Sequence, residues 1–528
     1  MITKYAHKLF HLCAYPKNNT NARRRCQFGA LLIISFLFVA TAIAAPGQTF
    51  TTLFSFDGAN GAEPSAPLVQ ATDGDFYGTT AGGGAAFEGT VFKITPQGTL
   101  TVLYSFCAQP HCADGASPTT ALIQATNGNF YGTTVYGGIG CAPPPDIPGC
   151  GTVFRMDPDG SLTTLHLWSG DPSLAADEAY ALVQATDGDF YGTTVSGGTD
   201  YAGSVFRMTP SGALTTLFSF VGPPQGYGPE AGLIQATDGN LYGTTLQGGD
   251  RSGPCAISAG CGTVFRMDPD GSLTTLHTFH YTDGGGPGAS LLQGNDGNFY
   301  GTTIGGGAHG AGTAFTMTPA GKVTTLYSFC AQENCVDGAY PEAALTQATD
   351  GNFYGTAVSG GKNHDCCGTA FRITPKGTLT TLHSFSGANI QYPFGLVQGT
   401  DGNLYGTTAN GGTSTNCGTG GCGTVYSIKV GLGPFVKAQV NSGIVGARCA
   451  ARYGSRDLRV GIHPEARCQD AVKMCMDRAR KARAGNDHAG ADRTRFLQVK
   501  IFRIRSPLVN SISHIPYELN VAWSWLWG

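Results

Sequence analysis

Residues 72–80 read TDGDFYGTT, and the phrase returns with few changes at 126–134, 186–194, 237–245, 295–303, 349–357 and 400–408. Its tyrosines, Tyr77, Tyr131, Tyr191, Tyr242, Tyr300, Tyr354 and Tyr405, lie 51 to 60 residues apart. A period of that length with several short strands per unit marks a propeller or a related repeat array. Upstream of the first copy, LVQAT is a short apolar run suited to an inner strand. Asp73-Gly74 supplies the positive φ angles of a tight hairpin. FYGTT, aromatic and β-branched, predicts a second strand. After the glycine-rich GGGAAFEG, TVFKITP predicts a third strand and TLTVLYSF a fourth, joined through Pro96-Gln97-Gly98. Four antiparallel strands joined this way make one propeller blade. No window carries a helical period, and 79 glycines in 528 residues are too many for helix interiors.

The phase of the repeats supplies a second clue. A lone fourth-strand phrase at residues 51–56 precedes the first complete unit, and the last unit stops after its third strand, GTVYSI. Seven copies of each strand exist only if residues 51–56 complete the final blade. The expected fold is therefore all-β, a seven-bladed propeller whose ring is closed by the N-terminal strand, which removes open sheet edges. An open β-solenoid is the alternative, and it leaves the permuted phase unexplained.

Composition divides the chain into residues 1–45, 46–430 and 431–528. Residues 46–428 hold 9 Lys/Arg against 28 Asp/Glu, a net of −19, and so lack the basic footprint of a nucleic-acid binder. Residues 1–45 carry 6 basic and no acidic residues. Arg23, Arg24 and Arg25 there precede an apolar run at 28–45, with Ala42 and Ala44 as small residues for signal cleavage. An uncleaved anchor through residues 28–45 is the alternative, and either reading places the repeats outside the cytoplasm.

The cysteines fit export. Cys107/Cys112, Cys141/Cys150, Cys255/Cys261, Cys330/Cys335 and Cys417/Cys422 form local pairs suited to an oxidising compartment. Each closes a loop so short that its entropic contribution is about 2 kcal/mol, enough to stiffen a loop but not to hold the ring. For the adjacent Cys366 and Cys367, a vicinal disulfide and two free thiols both stay open. No loop offers four ligands at metal spacing, so no metal and no cofactor is expected.

Strand order assigns the loops to two faces. The turns joining strands one to two and three to four are nearly uniform. The connections two-to-three and four-to-next-one carry the length variation, the cysteine pairs and the irregular aromatics Phe87, Tyr136, Tyr180, Tyr201, Tyr227, Tyr281, Tyr340 and Tyr392. Such aromatics on stiff loops can stack on sugars or anchor a protein. The plainer alternative is that they pack between loops and seal the disc. The repeated Tyr and Asp read as blade packing and turn formation, because calcium loops need a clustered acidic spacing absent here. Catalysis finds little support: His111, His309 and His364 have no evident partner, and Asp171, Asp177 and Glu178 read as a solvated loop.

The phrases LVQATDGNFYGTT and GTVFRMTPxGxLTTLYSF, separated by a glycine-rich loop, resemble the GloVer tandem repeat, the Gloeobacter/Verrucomicrobia type found in choice-of-anchor bacterial surface proteins. The match spans roughly residues 50–430. It implies an exported bacterial protein with varied C-terminal modules, and no activity to carry onto residues. A weaker similarity is to the propeller repeats of two-component sensors, which have Trp where this chain has Tyr.

Residues 431–447 resemble the linker and first strand of an immunoglobulin-like domain. Beyond them the chain turns basic, lacks the β pattern and carries Cys449, Cys468 and Cys475. A degenerate or frameshifted tail is expected, against a basic helical tail around residues 465–483 that contacts anionic envelope polymers. The leading functional expectation is an exported, monomeric, non-catalytic propeller that binds a polysaccharide or surface protein through its loop-rich face. The others are a display or spacer module without a ligand and an extracellular carbohydrate-active enzyme.

Overall fold

The structure is a computed structural model that describes residues 48–138, 151–168, 180–256, 259–362, 367–386 and 390–434, with three further strands between 447 and 503. In the first blade Val69–Gln70, Phe76–Thr80, Thr90–Ile94 and Leu100–Ser105 pair antiparallel in that order. Six such four-stranded sheets follow the same order of pairing within one repeat. The seventh sheet takes Ile390–Gln398, Leu404–Gly411 and Thr424–Lys429 from the last repeat and Thr49–Ser55 from the N-terminal side. Thr49 pairs with Lys429 and Ser55 with Thr424, so the strand foreseen at 51–56 closes the ring.

A blade lies between two others and covers both its faces, which is why Phe76–Thr80 is buried throughout and does not alternate. Glycine inside that strand has a packing reason. A Cβ on Gly78 would lie 2.6 Å from Cζ of Phe92, so the third-strand phenylalanine crosses where Gly78 leaves room.

Three sets of contacts recur at the seams between blades. Each repeated tyrosine faces the residue before the next blade's tyrosine, as in Tyr77 on Phe130 (4.1 Å between centroids) and, across the closure, Tyr405 on Phe76 (4.1 Å). The aromatic that ends each fourth strand meets the third strand of the next blade edge-on, as Phe56 does with Phe92 (5.2 Å). Trp168 occupies this slot in the second blade, fully buried against Phe206.

The third set is a ring of glutamines at the ends of the first strands. The Thr72 N–H donates to Oε1 of Gln124 (2.9 Å), Thr126 to Gln184 (2.8 Å), Thr186 to Gln235 (2.8 Å) and Thr237 to Gln293 (2.9 Å). Asn295 donates to Gln347, Thr349 to Gln398 and Thr400 back to Gln70, each at 2.9 Å. Neighbouring first strands come within one side chain of each other around the whole circle, so they line its inside.

The hairpin aspartates accept from the backbone two residues on, as Asp73 does from Asp75 N (3.1 Å), and also from the repeated tyrosine hydroxyl, 2.8 Å away in Tyr77–Asp73. Burial first, then Asp73, pushes the Tyr77 phenol up to about 12, so it stays a donor.

The chain divides into two compact units, Met1–Phe435 and Val436–Gly528. In the second, Ala447–Tyr453 pairs with both Arg456–Gly461 and Gln498–Arg503. The expectation that the β pattern ends near residue 447 is therefore corrected: alternation at Leu458/Val460 and Val499/Ile501 suits strands even among arginines. The helical alternative at 465–483, the apolar run at 28–45 and residues 171, 177 and 178 all lie outside the described residues. Among the described residues no helix is long and apolar enough to cross a membrane.

The closing strand carries a pH-dependent contact. Phe50 stacks on His383 of the sixth blade at 4.0 Å and 7°, and burial, then Lys362, holds the His383 imidazole below its ordinary value. A depressed histidine contributes stability that is full above the unfolded value near pH 6.5 and is lost as pH falls below it. The drop in thermal midpoint between pH 7 and 5 is therefore expected to be smaller in His383→Phe than in the parent. An equal drop would contradict this.

Candidate functional site

The two families of connections lie on separate faces, as the strand order requires. Ala62 bridges Gly82, Ala116 bridges Tyr136, Tyr227 bridges Gln247, Gly285 bridges Gly305 and Ala339 bridges Ser359. Each bridge joins the segment entering a blade to the two-to-three loop of that same blade, so these loops share one surface.

One backbone position recurs in that surface, just before a proline: Glu63, Ser117, Gly228, Gly286 and Tyr340 in the segments that enter the first strands, and Tyr392 within the longer first strand of the seventh blade. All six have left-handed φ, between 54° and 65°. The conformation is imposed by the seam. The Tyr340 N–H donates back to Ala311 O in the preceding blade (2.9 Å), and its carbonyl accepts from Val358 N in its own blade (3.1 Å). Gly286 makes the same pair of bonds, with Cys261 O and Ile304 N. A second left-handed position lies two residues before the glycine that opens the third strand: Phe87 (64°), Tyr201 (54°) and Gly310 (73°).

Glycine adopts this backbone freely, whereas a side chain there costs about 1 kcal/mol. The chain nevertheless places an aromatic at four of these positions, and each keeps a large part of its surface in solvent: Phe87 is 75% exposed, Tyr201 60%, Tyr340 44% and Tyr392 44%. Tyr136, Tyr227 and Tyr281 are exposed as well, while Tyr180 is half-buried and donates its N–H to Thr193 O. These seven side chains keep between 36% and 75% of their surface in solvent, so loop packing covers part of each ring and leaves the rest open. The large exposed aliphatics among the described residues are only Leu167 and Val221.

The loops are stiffened from beneath. Disulfides join Cys107–Cys112, Cys255–Cys261, Cys330–Cys335 and Cys417–Cys422. Cys141, Cys150 and Cys366 lie outside the described residues, whereas Cys367 is buried and disulfide-bonded. In the first clasped loop the fully buried Asp114 accepts from Tyr104 Oη (2.8 Å), Ala108 N (3.0 Å) and Gln109 N (3.0 Å). Asp337 does the same beneath Cys330–Cys335, from Tyr327, Ala331 and Gln332. These carboxylates are saturated by donors and serve the loop.

His280, next to Tyr281, was not singled out from sequence. Its Nδ1 lies 2.7 Å from Asp250 Oδ2, its ring is 61% exposed, and its N–H donates to Asp283 (2.8 Å). The His280 contact, with help from Ser252, holds the Asp250 carboxyl down at about 2. Ser252 Oγ bonds that same carboxylate at 3.0 Å and not the imidazole, so no serine is set up as a nucleophile here. Of the other histidines considered, His111 has left-handed φ of 59° in the Cys107–Cys112 loop, and His364 lies outside the described residues. Among the described residues no group of three or more His, Cys, Asp and Glu is placed to hold a metal. A shallow open groove lined by Gln109, Ala113 and Leu162–Leu167 lies along the outer strand of the second blade, and none of the eight candidate aromatics lines it.

Seven four-stranded blades with short uniform turns on one side and clasped, variable loops on the other define a β-propeller with a single elaborated face. The repeats match the Gloeobacter/Verrucomicrobia repeat family over residues 39–173, 146–257 and 251–451, and the chain belongs to that family. No curated protein matches it significantly. Among solved structures it is similar to a PQQ-bound aldose sugar dehydrogenase from Streptomyces coelicolor at 16% identity, covering 73% of this chain and 99% of that one, TM-score 0.37. It is also similar to a gluconolactonase from Xanthomonas campestris at 14% identity (52% and 78% covered, TM-score 0.31). A Dyadobacter fermentans protein of unknown function is 10% identical (72% and 98%, TM-score 0.38). These likenesses concern the fold and bring no activity to this chain.

If the exposed aromatics are not kept for stability, replacing them with glycine should do little harm. Tyr340→Gly and Tyr392→Gly are each expected to leave the unfolding free energy unchanged or higher by up to about 1 kcal/mol. Loss of more than about 1 kcal/mol in urea titration would mean the rings are structural after all.

Proposed function

We propose that this chain is an exported, non-catalytic propeller whose loop-rich face binds glycans. The observation that carries the reading is the set of exposed rings at left-handed positions, Phe87, Tyr201, Tyr340 and Tyr392, which other blades fill with Gly228, Gly286, Gly310, Ser117 or Glu63. A flat ring held on a stiff loop offers a hydrophobic surface at little further entropic cost, which suits the apolar face of a sugar. The four disulfides fit an oxidising compartment, and the charged N-terminal run followed by residues 28–45 fits export.

The near-uniform blades favour a second reading, a spacer that displays other domains without a ligand of its own. The purified full-length protein on an array of plant and microbial polysaccharides separates the two. Binding to one polysaccharide class is expected, with a loss of about tenfold or more in Phe87→Ala, Tyr136→Ala or Tyr227→Ala for those rings that line the contact. A blank array from a folded protein would favour the spacer.

A further inference from the structure

We propose that the loop-rich face takes a cationic glycan, a polymer of hexosamines that carry free amines; this rests on the glycan-binding reading and names its sugar class. Exposed rings on that face stand beside carboxylates that have no counter-cation of their own.

The charges of the propeller are sorted between its two faces. Lys93, Arg155, Arg207, Arg266 and Arg372 lie in third strands, close to the uniform turns, and Lys322 and Lys376 lie in those turns. They meet acids of that same face: Lys93 Nζ lies 2.9 Å from Asp73 and 2.8 Å from Asp75, and Arg207 Nε lies 2.6 Å from Asp189. On the loop face the described Lys and Arg residues are only Arg251 and Lys362. Asp114 and Asp337 there are saturated within their loops, and Asp250 and Asp283 lie against His280 and His277. Among the described residues Glu63, Glu88, Glu333 and Glu342 make no ion pair. Desolvation holds the Glu88 and Glu342 carboxyls above their ordinary value, as expected of carboxylates that no cation offsets.

These acids share segments with the rings. Phe87 precedes Glu88, Asp200 precedes Tyr201, and Tyr340 and Glu342 flank Pro341. Backbone bonds hold two of those segments in place, since Glu88 O accepts from Ser117 N (2.8 Å) and Tyr340 O from Val358 N (3.1 Å). A hexosamine matches the pairing. Its apolar face stacks on an aromatic ring, and its ammonium donates to a carboxylate and is drawn to the π-face. A neutral sugar leaves the carboxylates unused. An anionic one is repelled by residues 46–428, where 9 Lys/Arg stand against 28 Asp/Glu. The same field draws a cationic chain in, which makes its binding sensitive to salt.

Isothermal titration of the full chain with a glucosamine hexamer and with its fully N-acetylated counterpart tests this, since the two differ in their amines and in charge. The free-amine hexamer is expected to bind about tenfold or more tighter at low salt, an advantage that high salt removes. Glu88→Gln and Glu342→Gln should each cut the advantage by about two- to fivefold, and Phe87→Ala should weaken both ligands. Asp159→Asn, which removes a charge from the uniform face, should change neither. Equal affinity for the two hexamers would overturn the proposal. So would an advantage that Asp159→Asn lowers as much as Glu88→Gln does, because that marks diffuse attraction of a polycation to an acidic protein. Array hits without binding of either hexamer would overturn it too and leave the wider reading standing. If neither hexamer binds and the array is also blank, both fail together.

Discussion

The contact on which the structure depends is the seam between consecutive blades. A single blade of this sequence is a small, glycine-rich sheet with both faces apolar, and it has no interior of its own. Burial comes only from neighbours: Tyr77 needs Phe130, Phe106 needs Phe154, and the Thr72 N–H needs Gln124. An aromatic pair of this kind is worth about 1 kcal/mol beyond its buried area, and a net hydrogen bond about as much. Seven repetitions of modest contacts add to a stable disc provided no blade is left with an open face. Residues 49–55 meet that condition by pairing with Thr424–Lys429.

The same seam explains why function can be separated from folding. It prescribes left-handed backbone at fixed places on the loop face, and glycine satisfies that demand at Gly228 and Gly286. Where a large side chain stands there instead, much of its ring stays in solvent: Tyr340 and Tyr392 each keep 44% of their surface exposed. The uniform face has no such freedom. Its aspartates and tyrosines bond each other, as Tyr77 does Asp73 and Tyr405 does Asp401 (2.7 Å), and its glutamines are occupied by the ring.

Much of this was legible in the sequence. The spacing of FYGTT implied blades, and the stray strand before the first repeat implied the closure, because both follow from counting. The division into two faces followed from antiparallel order alone, and the aromatics on one of them stood out by breaking the repeat. The glutamine of LVQAT did not stand out, since a side chain that bridges to the next blade looks in sequence like any polar residue at a strand end. The shared register of Glu63, Ser117, Gly228, Gly286, Tyr340 and Tyr392 was also missed. The proline that follows each was a readable sign, but the identities before it differ so widely that only their common φ reveals them as one position. The Asp250–His280 pair lies 30 residues apart across two loops, a contact no local pattern signals.

The central claim is that the ring is closed by residues 49–55 and that every blade depends on that closure. Hydrogen–deuterium exchange of the full chain, read by mass spectrometry on peptides covering 49–55 and 424–429, tests it most directly. The account predicts that both segments exchange slowly and together, in the same class as the paired strands of the other blades. Free-chain exchange at 49–55 beside slow exchange at 424–429 would show an open ring and contradict it.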